Sequence, residues 1–377
     1  MYLSSPRIVT SMLLVFLALA TGRTCLAFQA QALKPSQTDG LQRKSEPPRL
    51  SDAQHRAVIT PHNVASLVPI ASLAKDDIWR IVWSPARDRM GLVRWKGPVE
   101  VRGVVSLTLY ETIGEGKAIT HFAFSPKRGV MAYSGNGGSK TATILLRAPV
   151  SEIRLDAGND QPNVVFSPDG NLLATGGYGT AARLWRVEDG QLVRTFDTGP
   201  TKGGLTPVFS PDGRWLAIGN RNSTTSIFDV ATGDLLATLP KRMSHELRFS
   251  PDGRTLAVVY VDGSVALWKV ADGSLIVERK SKSAELYTVD WSPDGSLLAT
   301  AGSIGLAPVR KSAAAVTDLP GSITIWDPKD LSVLRELPAP EWVIQVKFTP
   351  DGFNLYWAGG AQRQGGERRL EILGIKG

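Results

Sequence analysis

One short pattern, repeated seven times, constrains this chain more than any other feature of its 377 residues. An alternating apolar stretch runs into an aromatic residue, then Ser or Thr, then Pro: Trp83-Ser84-Pro85, Phe124-Ser125-Pro126, Phe166-Ser167-Pro168, Phe209-Ser210-Pro211, Phe249-Ser250-Pro251, Trp291-Ser292-Pro293 and Phe348-Thr349-Pro350. In five copies Asp-Gly follows, beginning at Asp169, Asp212, Asp252, Asp294 and Asp351. These residues suit a hairpin corner: Pro fixes φ, Asp caps the turn through its carboxylate, and Gly accepts the positive φ that closes it. Successive prolines lie 41, 42, 43, 40, 42 and 57 residues apart. A period in the low forties is the length of a four-stranded sheet. Further strands follow each anchor, as at Leu172-Leu173-Ala174-Thr175, Leu267-Trp268 and Ile325-Trp326, with turns at Asp189-Gly190, Thr232-Gly233 and Asp272-Gly273.

A sheet of this kind cannot bury its faces alone, so the repeats are expected to shield one another in a ring. The expected fold is all-β: a seven-bladed β-propeller of four-stranded antiparallel blades over residues 61–377. The 37 Gly and 24 Pro, with only 21% charged residues, fit a turn-rich chain with a large core. The last repeat supplies only a third strand, Leu370-Glu371-Ile372-Leu373. Upstream of the first anchor, Leu67-Val68-Pro69-Ile70-Ala71-Ser72-Leu73 has the length and character of a strand. This N-terminal strand is expected to complete the last blade, with Pro69 tolerated on an edge.

Trp326-Asp327 matches the signature dipeptide of the WD-repeat (WD40-like) family, and Phe228-Asp229 nearly matches it. On these residues and the repeat, positions 61–377 resemble that family, in an exported bacterial-type form. The resemblance implies an interaction platform with no shared chemistry. The Gly-His pair that opens that family's repeats is absent, and Trp185 and Trp268 are followed by Arg186 and Lys269. The family's buried Asp-His-Ser/Thr-Trp hydrogen-bond network is therefore expected to be missing, and blade packing to rest on apolar contacts.

Ahead of the repeats, Arg7 precedes an apolar run, Met12 to Ala20, followed by small residues. That is the layout of a signal peptide over residues 1–27, cleaved after Ala27, and the run is short of the roughly 20 residues a membrane span needs. The chain is expected to be exported, periplasmic or secreted, with no stable membrane insertion after cleavage. An uncleaved anchor is the alternative. Cys25 is the only cysteine, so no disulfide or thiolate metal centre can form. Arg23 makes it a poor lipid acceptor. Residues 28–60 are polar and broken by Pro35, Pro47 and Pro48, and are read as a disordered linker.

Catalytic patterns are thin. His55, His62, His121 and His245 show no metal spacing, no nucleophile elbow or phosphate loop is present, and no cofactor is expected. The glycine pairs Gly176-Gly177 and Gly359-Gly360 are read as turns. One set breaks the apolar pattern: three residues before the anchor proline, the first four repeats carry Val82, Ala123, Val165 and Val208, and the last three Arg248, Asp290 and Lys347. These charges are expected to meet, either as an inter-blade ion cluster or as a polar site near the channel.

What remains is surface. The loops before each inner strand and those between second and third strands should share one face, which carries Arg221, Lys241, Arg242, Lys280, Lys282, Arg310, Lys311 and Arg363. Repeat six holds an insertion, Ser303 to Pro320, and Trp342 should lie near the same face, as a contact or as core. The expected function is non-catalytic: a binding or scaffold protein that engages a protein, acidic or otherwise, or another macromolecule through this face, as a monomer. The net charge of +8 allows an acidic partner but also merely aids solubility. Nucleic acid is not expected, since no aromatic-basic stacking platform is visible. The alternative is a propeller enzyme, a periplasmic hydrolase, lyase or dehydrogenase, which would need acids and histidines converging at the channel mouth.

Overall fold

The computed structural model describes residues 57–375 apart from 75–77, 95–96, 105, 128, 136–140, 148–149, 160–161, 199–203, 221–223, 241, 306–319 and 361–367. The chain divides into Met1–Ser45 and Glu46–Gly377, and every described residue belongs to the second unit. The expectations for the signal peptide, for Cys25 and for most of the linker concern residues outside the described set.

The described residues form 29 strands and one 3₁₀ turn, Val64–Ser66. Seven antiparallel sheets stand in sequence order, each led by an inner strand that ends at an anchor: Ile78–Trp83, Ile119–Phe124, Val164–Phe166, Gly204–Phe209, Ser244–Phe249, Glu285–Trp291 and Val343–Phe348. The seventh blade is built from both ends of the described chain. Arg368–Ile375 is its third strand and Leu67–Ala74 its outermost, paired antiparallel with Leu67 opposite Ile375 and Leu73 opposite Leu370. Pro69 lies on this edge strand, where the register slips between Pro69 and Ala71 and no ladder bond from its nitrogen is needed. Ile59, two residues before the boundary drawn from sequence, is already packed, its N–H donating to the Gly352 carbonyl at 2.9 Å.

The apolar residues sort into seven clusters, each shared by two successive blades. The last boundary is filled like the others: Ile78, Ile81, Met90 and Leu92 of blade one pack against Tyr356, Ala358, Leu370 and Ile372 of blade seven. The ring is thus closed by burial as well as by strand pairing.

The anchor turns repeat atom by atom. In blade five the Ser250 hydroxyl donates to Asp252 at 2.5 Å and accepts the Thr255 N–H, while Asp252 accepts the Arg254 N–H at 3.0 Å. Blades three, four, six and seven carry the same three bonds.

Two expectations are corrected, and one blade gains a short extra strand. The hydrogen-bond network is not wholly missing: the Trp185 and Trp326 indoles donate to the Thr175 and Thr300 hydroxyls, both at 2.9 Å, and Trp268 donates to the Tyr260 hydroxyl at 3.1 Å. A Thr on the second strand suffices to satisfy the indole N–H without a following Asp. Blade four has five strands, because Gly177–Tyr178 leaves blade three and pairs with Gly204 and Leu205. The glycines at second-strand ends serve close approach of backbones instead of turns. A Cβ at Gly302 would lie 1.9 Å from the Glu285 carbonyl oxygen, and one at Gly359 2.3 Å from that of Trp342.

Candidate functional site

Side chains alternate along a strand, so every second residue of the inner strands faces the axis of the ring. Two layers result. The layer three residues before each anchor proline holds Val82, Ala123, Val165, Val208, Arg248, Asp290 and Lys347. The layer two residues earlier holds Arg80, His121, Asn163, Thr206, Glu246, Thr288 and Gln345, all polar. All of these except Thr288 line one axial cavity of about 910 Å³.

At the far end of the inner strands the lining is set by β-bulges. The register slips by one residue in blades one, two, five, six and seven, and the extra residues are Trp79, Thr120, His245, Tyr287 and Ile344. A bulge leaves one residue out of the ladder and re-aims its side chain. All five bulged residues line the cavity mouth. The close-approach glycines belong to this device: Gly302 pairs with Leu286 beside the Tyr287 bulge, and Gly359 pairs with Val343 beside the Ile344 bulge.

Blades five, six and seven meet through charge. Lys347 donates to Asp290 at 3.0 Å, the second Asp290 oxygen accepts the Phe348 N–H at 2.9 Å, and Arg248 Nε lies 3.8 Å from Asp290. Glu246, which sequence reasoning passed over, pairs with Arg248 at 2.5 Å and accepts the Val289 N–H at 3.2 Å. Burial pushes the Glu246 carboxyl up, but Arg248, Lys347, the Thr288 hydroxyl and Arg80 together hold it below the ordinary glutamate value. Burial and then Arg248 push the Lys347 ammonium down, against the pull of Asp290 and Glu246.

The polar layer also stitches the unpaired edge of the inner strands. The residue five before the anchor proline accepts the N–H four before the anchor in the next blade: Glu246 from Val289, Thr288 from Val346, and Gln345 from Ile81 across the closing boundary. These N–H groups have no strand partner on the channel side, so a side-chain acceptor satisfies them. The signal was present in the sequence, since all seven residues at that position are polar.

The mouth brings together residues that the sequence leaves scattered. His245 Nε2 lies 2.7 Å from Glu285, whose other oxygen accepts the Tyr287 hydroxyl at 2.7 Å. The Tyr287 ring leans on His245 at 5.0 Å and meets Trp342 edge-on at 5.1 Å. Trp342 is half-buried and lines the cavity, and its indole N–H has no hydrogen-bond partner among the described residues. His121 lies deeper, and burial, reinforced by Arg80, holds its imidazole well below the ordinary histidine value, hence neutral.

The expected basic face divides. Arg221, Lys241, Arg310, Lys311 and Arg363 lie outside the described residues. Arg242 is engaged by Asp262 at 2.6 Å and Glu278 at 2.7 Å and lies over the Tyr260 ring at 4.1 Å. Lys280 donates to the Asp262 carbonyl, and Lys282 pairs with Glu336 of blade six. The three described cations are thus tied to acidic or carbonyl neighbours, with Lys280 and Lys282 still exposed to solvent. The insertion departs beside the mouth: Ser303 pairs with Glu285 on one side and with Gly321 on the other. The 361–367 loop departs after Gly360, whose N–H reaches the Trp342 carbonyl at 3.3 Å.

Two family models match the chain. One described as WD domain, G-beta repeat covers residues 160–186, which reach the Thr175–Trp185 hydrogen bond of blade three. One described as eukaryotic translation initiation factor eIF2A covers residues 208–309, from the inner strand of blade four into blade six. No curated protein matches the chain. Propellers of the WD type commonly mediate protein interactions, and both matched families are generally non-catalytic. With its seven anchored sheets, its closing strand and these matches, the chain is a seven-bladed β-propeller whose repeats are similar to those of the WD type.

Proposed function

We propose that this chain is an exported, non-catalytic binding protein that docks a partner protein on the face around the channel mouth. The observation that carries the reading is a coincidence of place. The Ser303 to Pro320 insertion and the 361–367 loop leave the ring at the strand ends where Trp79, Tyr287 and Trp342 crowd the mouth. Rigid aromatics backed by a fixed scaffold and flanked by loops suit recognition, because binding energy concentrates in a few aromatic anchors. Export rests on the apolar run Met12 to Ala20, and the mature chain would act as a monomer in a periplasm or outside the cell. The test is cross-linked recovery of partners from the envelope fraction, repeated with Ser303 to Pro320 shortened and with Trp342→Ala. One partner lost with both changes supports the reading, and an unchanged partner set overturns it.

The interlocked His245, Glu285 and Tyr287 favour a second reading, a hydrolytic site at the mouth. Turnover of a chromogenic ester that His245→Gln abolishes would establish it, and absence of turnover in the unaltered chain would dismiss it.

A further inference from the structure

The axial cavity holds a cation that its own walls attract through Glu246 but do not contact. Arg80 lines it on the polar layer of blade one, and among the described residues its guanidinium makes no ion pair and no hydrogen bond. The carboxylates within the lumen are already committed. Glu246 is held by Arg248 and the Val289 N–H, and Asp290 by Lys347 and the Phe348 N–H. Glu285, nearer the mouth, is held by His245 and Tyr287. The remaining lining cation, Arg94, is answered by Glu100. His121, beside Arg80, is neutral. At the centre three cations, Arg80, Arg248 and Lys347, therefore stand against two carboxylates, Glu246 and Asp290.

The rest of the lining gives the occupant its shape. Val82, Ala123, Val165 and Val208 make an apolar wall over blades one to four, opposite the charged wall of blades five to seven. Trp79, Tyr287 and Trp342 form an apolar neck above. A cavity of about 910 Å³, with an apolar wall on one side and convergent polar groups on the other, has the size of a small-molecule site. An unpaired cation in such surroundings is costly and is relieved by an anion that brings its own apolar body.

We infer that the channel is a receptor for a small organic anion, a carboxylate or phosphate monoester on an apolar body, with Arg80 as its charge partner and the valine wall against its apolar part. The inference stands apart from the docking of a partner protein, which need not enter the lumen.

Calorimetric titration of the purified chain with benzoate, phenyl phosphate and the neutral analogue benzamide tests it. At least one anion should bind, one per chain, and benzamide should not. The tighter of the two anions identifies the headgroup. Arg80→Gln should weaken the anion at least about tenfold, Arg80→Lys should retain much of the binding, and Lys329→Gln, on an exposed turn, should change nothing. Without ligand, Arg80→Gln should unfold at the same or a higher urea concentration, since it removes a charge that makes no ion pair. Equal binding of benzamide, undiminished binding by Arg80→Gln, no binding of either anion at millimolar concentration, or an Arg80→Gln chain that fails to fold would each overturn the inference.

Discussion

Asp290 carries two jobs with one carboxylate: it faces the Lys347 ammonium and caps the Phe348 N–H, both in the neighbouring blade. Asp290→Asn keeps an oxygen for the amide but leaves Arg80, Arg248 and Lys347 facing Glu246 alone. Removing one member of a buried pair costs about 3–5 kcal/mol, and urea unfolding should show a loss in that range. A smaller loss would mean that the lumen is wet enough to screen the cations. The anchor aspartates act differently, through pH. The Ser210 and Ser250 hydroxyls hold Asp212 and Asp252 below the ordinary carboxylate value. For Asp169 and Asp294 partial burial pulls upward, but the seryl hydroxyls and backbone N–H groups still win. Their folded values lie below the unfolded one near about 3.9, so the stability they add is fully present above that pH and is lost as pH falls through the folded values. The urea midpoint should hold level with respect to these groups from neutral pH to about 5 and drop below about 4. A midpoint rising on acidification would contradict the turn chemistry. At this scale the sequence was readable where a residue recurs at one offset, as Asp169 and its counterparts do. It was not readable at Arg80, because a lone Arg between two apolar neighbours looks like any exposed strand residue until its ring partners are aligned.

A bulge and the glycine facing it form a unit that propensity alone does not reveal. The slip at Tyr287 brings the Glu285 carbonyl so close to the second strand that only Gly302 fits, which is why those glycines are not turns. Gly302→Ala should cost about 1–3 kcal/mol by overpacking and should move Tyr287, because the inner strand must retreat to make room. Near-ultraviolet circular dichroism together with the urea midpoint reads both. A variant of unchanged stability would mean that the strand end yields freely. The strands themselves were legible from alternation and from the proline anchors. The bulges were not, since one extra residue changes no composition and only shifts the phase of the pattern for the first one or two positions of the strand. The handover of Gly177–Tyr178 to blade four was hidden for a related reason: a two-residue strand leaves no periodicity to detect.

Over the whole ring, stability is a sum of neighbour contacts, and among the described residues the seam between Leu67–Ala74 and Arg368–Ile375 is the only place where strands distant in sequence supply those contacts within one blade. Leu67 is fully buried in the cluster that joins blades six and seven. Leu67→Ala should cost about 2–5 kcal/mol, measured by urea unfolding, and should raise amide exchange in Arg368–Ile375 before other blades. Uniform loss of protection around the ring would instead mean that the blades unfold as one. Blade number and the closing strand were legible because repetition multiplies a weak local signal. The occupants of the channel were not, because their proximity is a product of closure and exists in no single repeat. The same seam sets an order of events. A ribosome delivers Leu67–Ala74 well before its partner strand Arg368–Ile375, with about three hundred residues emerging between them. Until that final segment arrives, the nascent chain is a broken bracelet with two sticky ends, and whatever holds it soluble during that interval must guard the clasp.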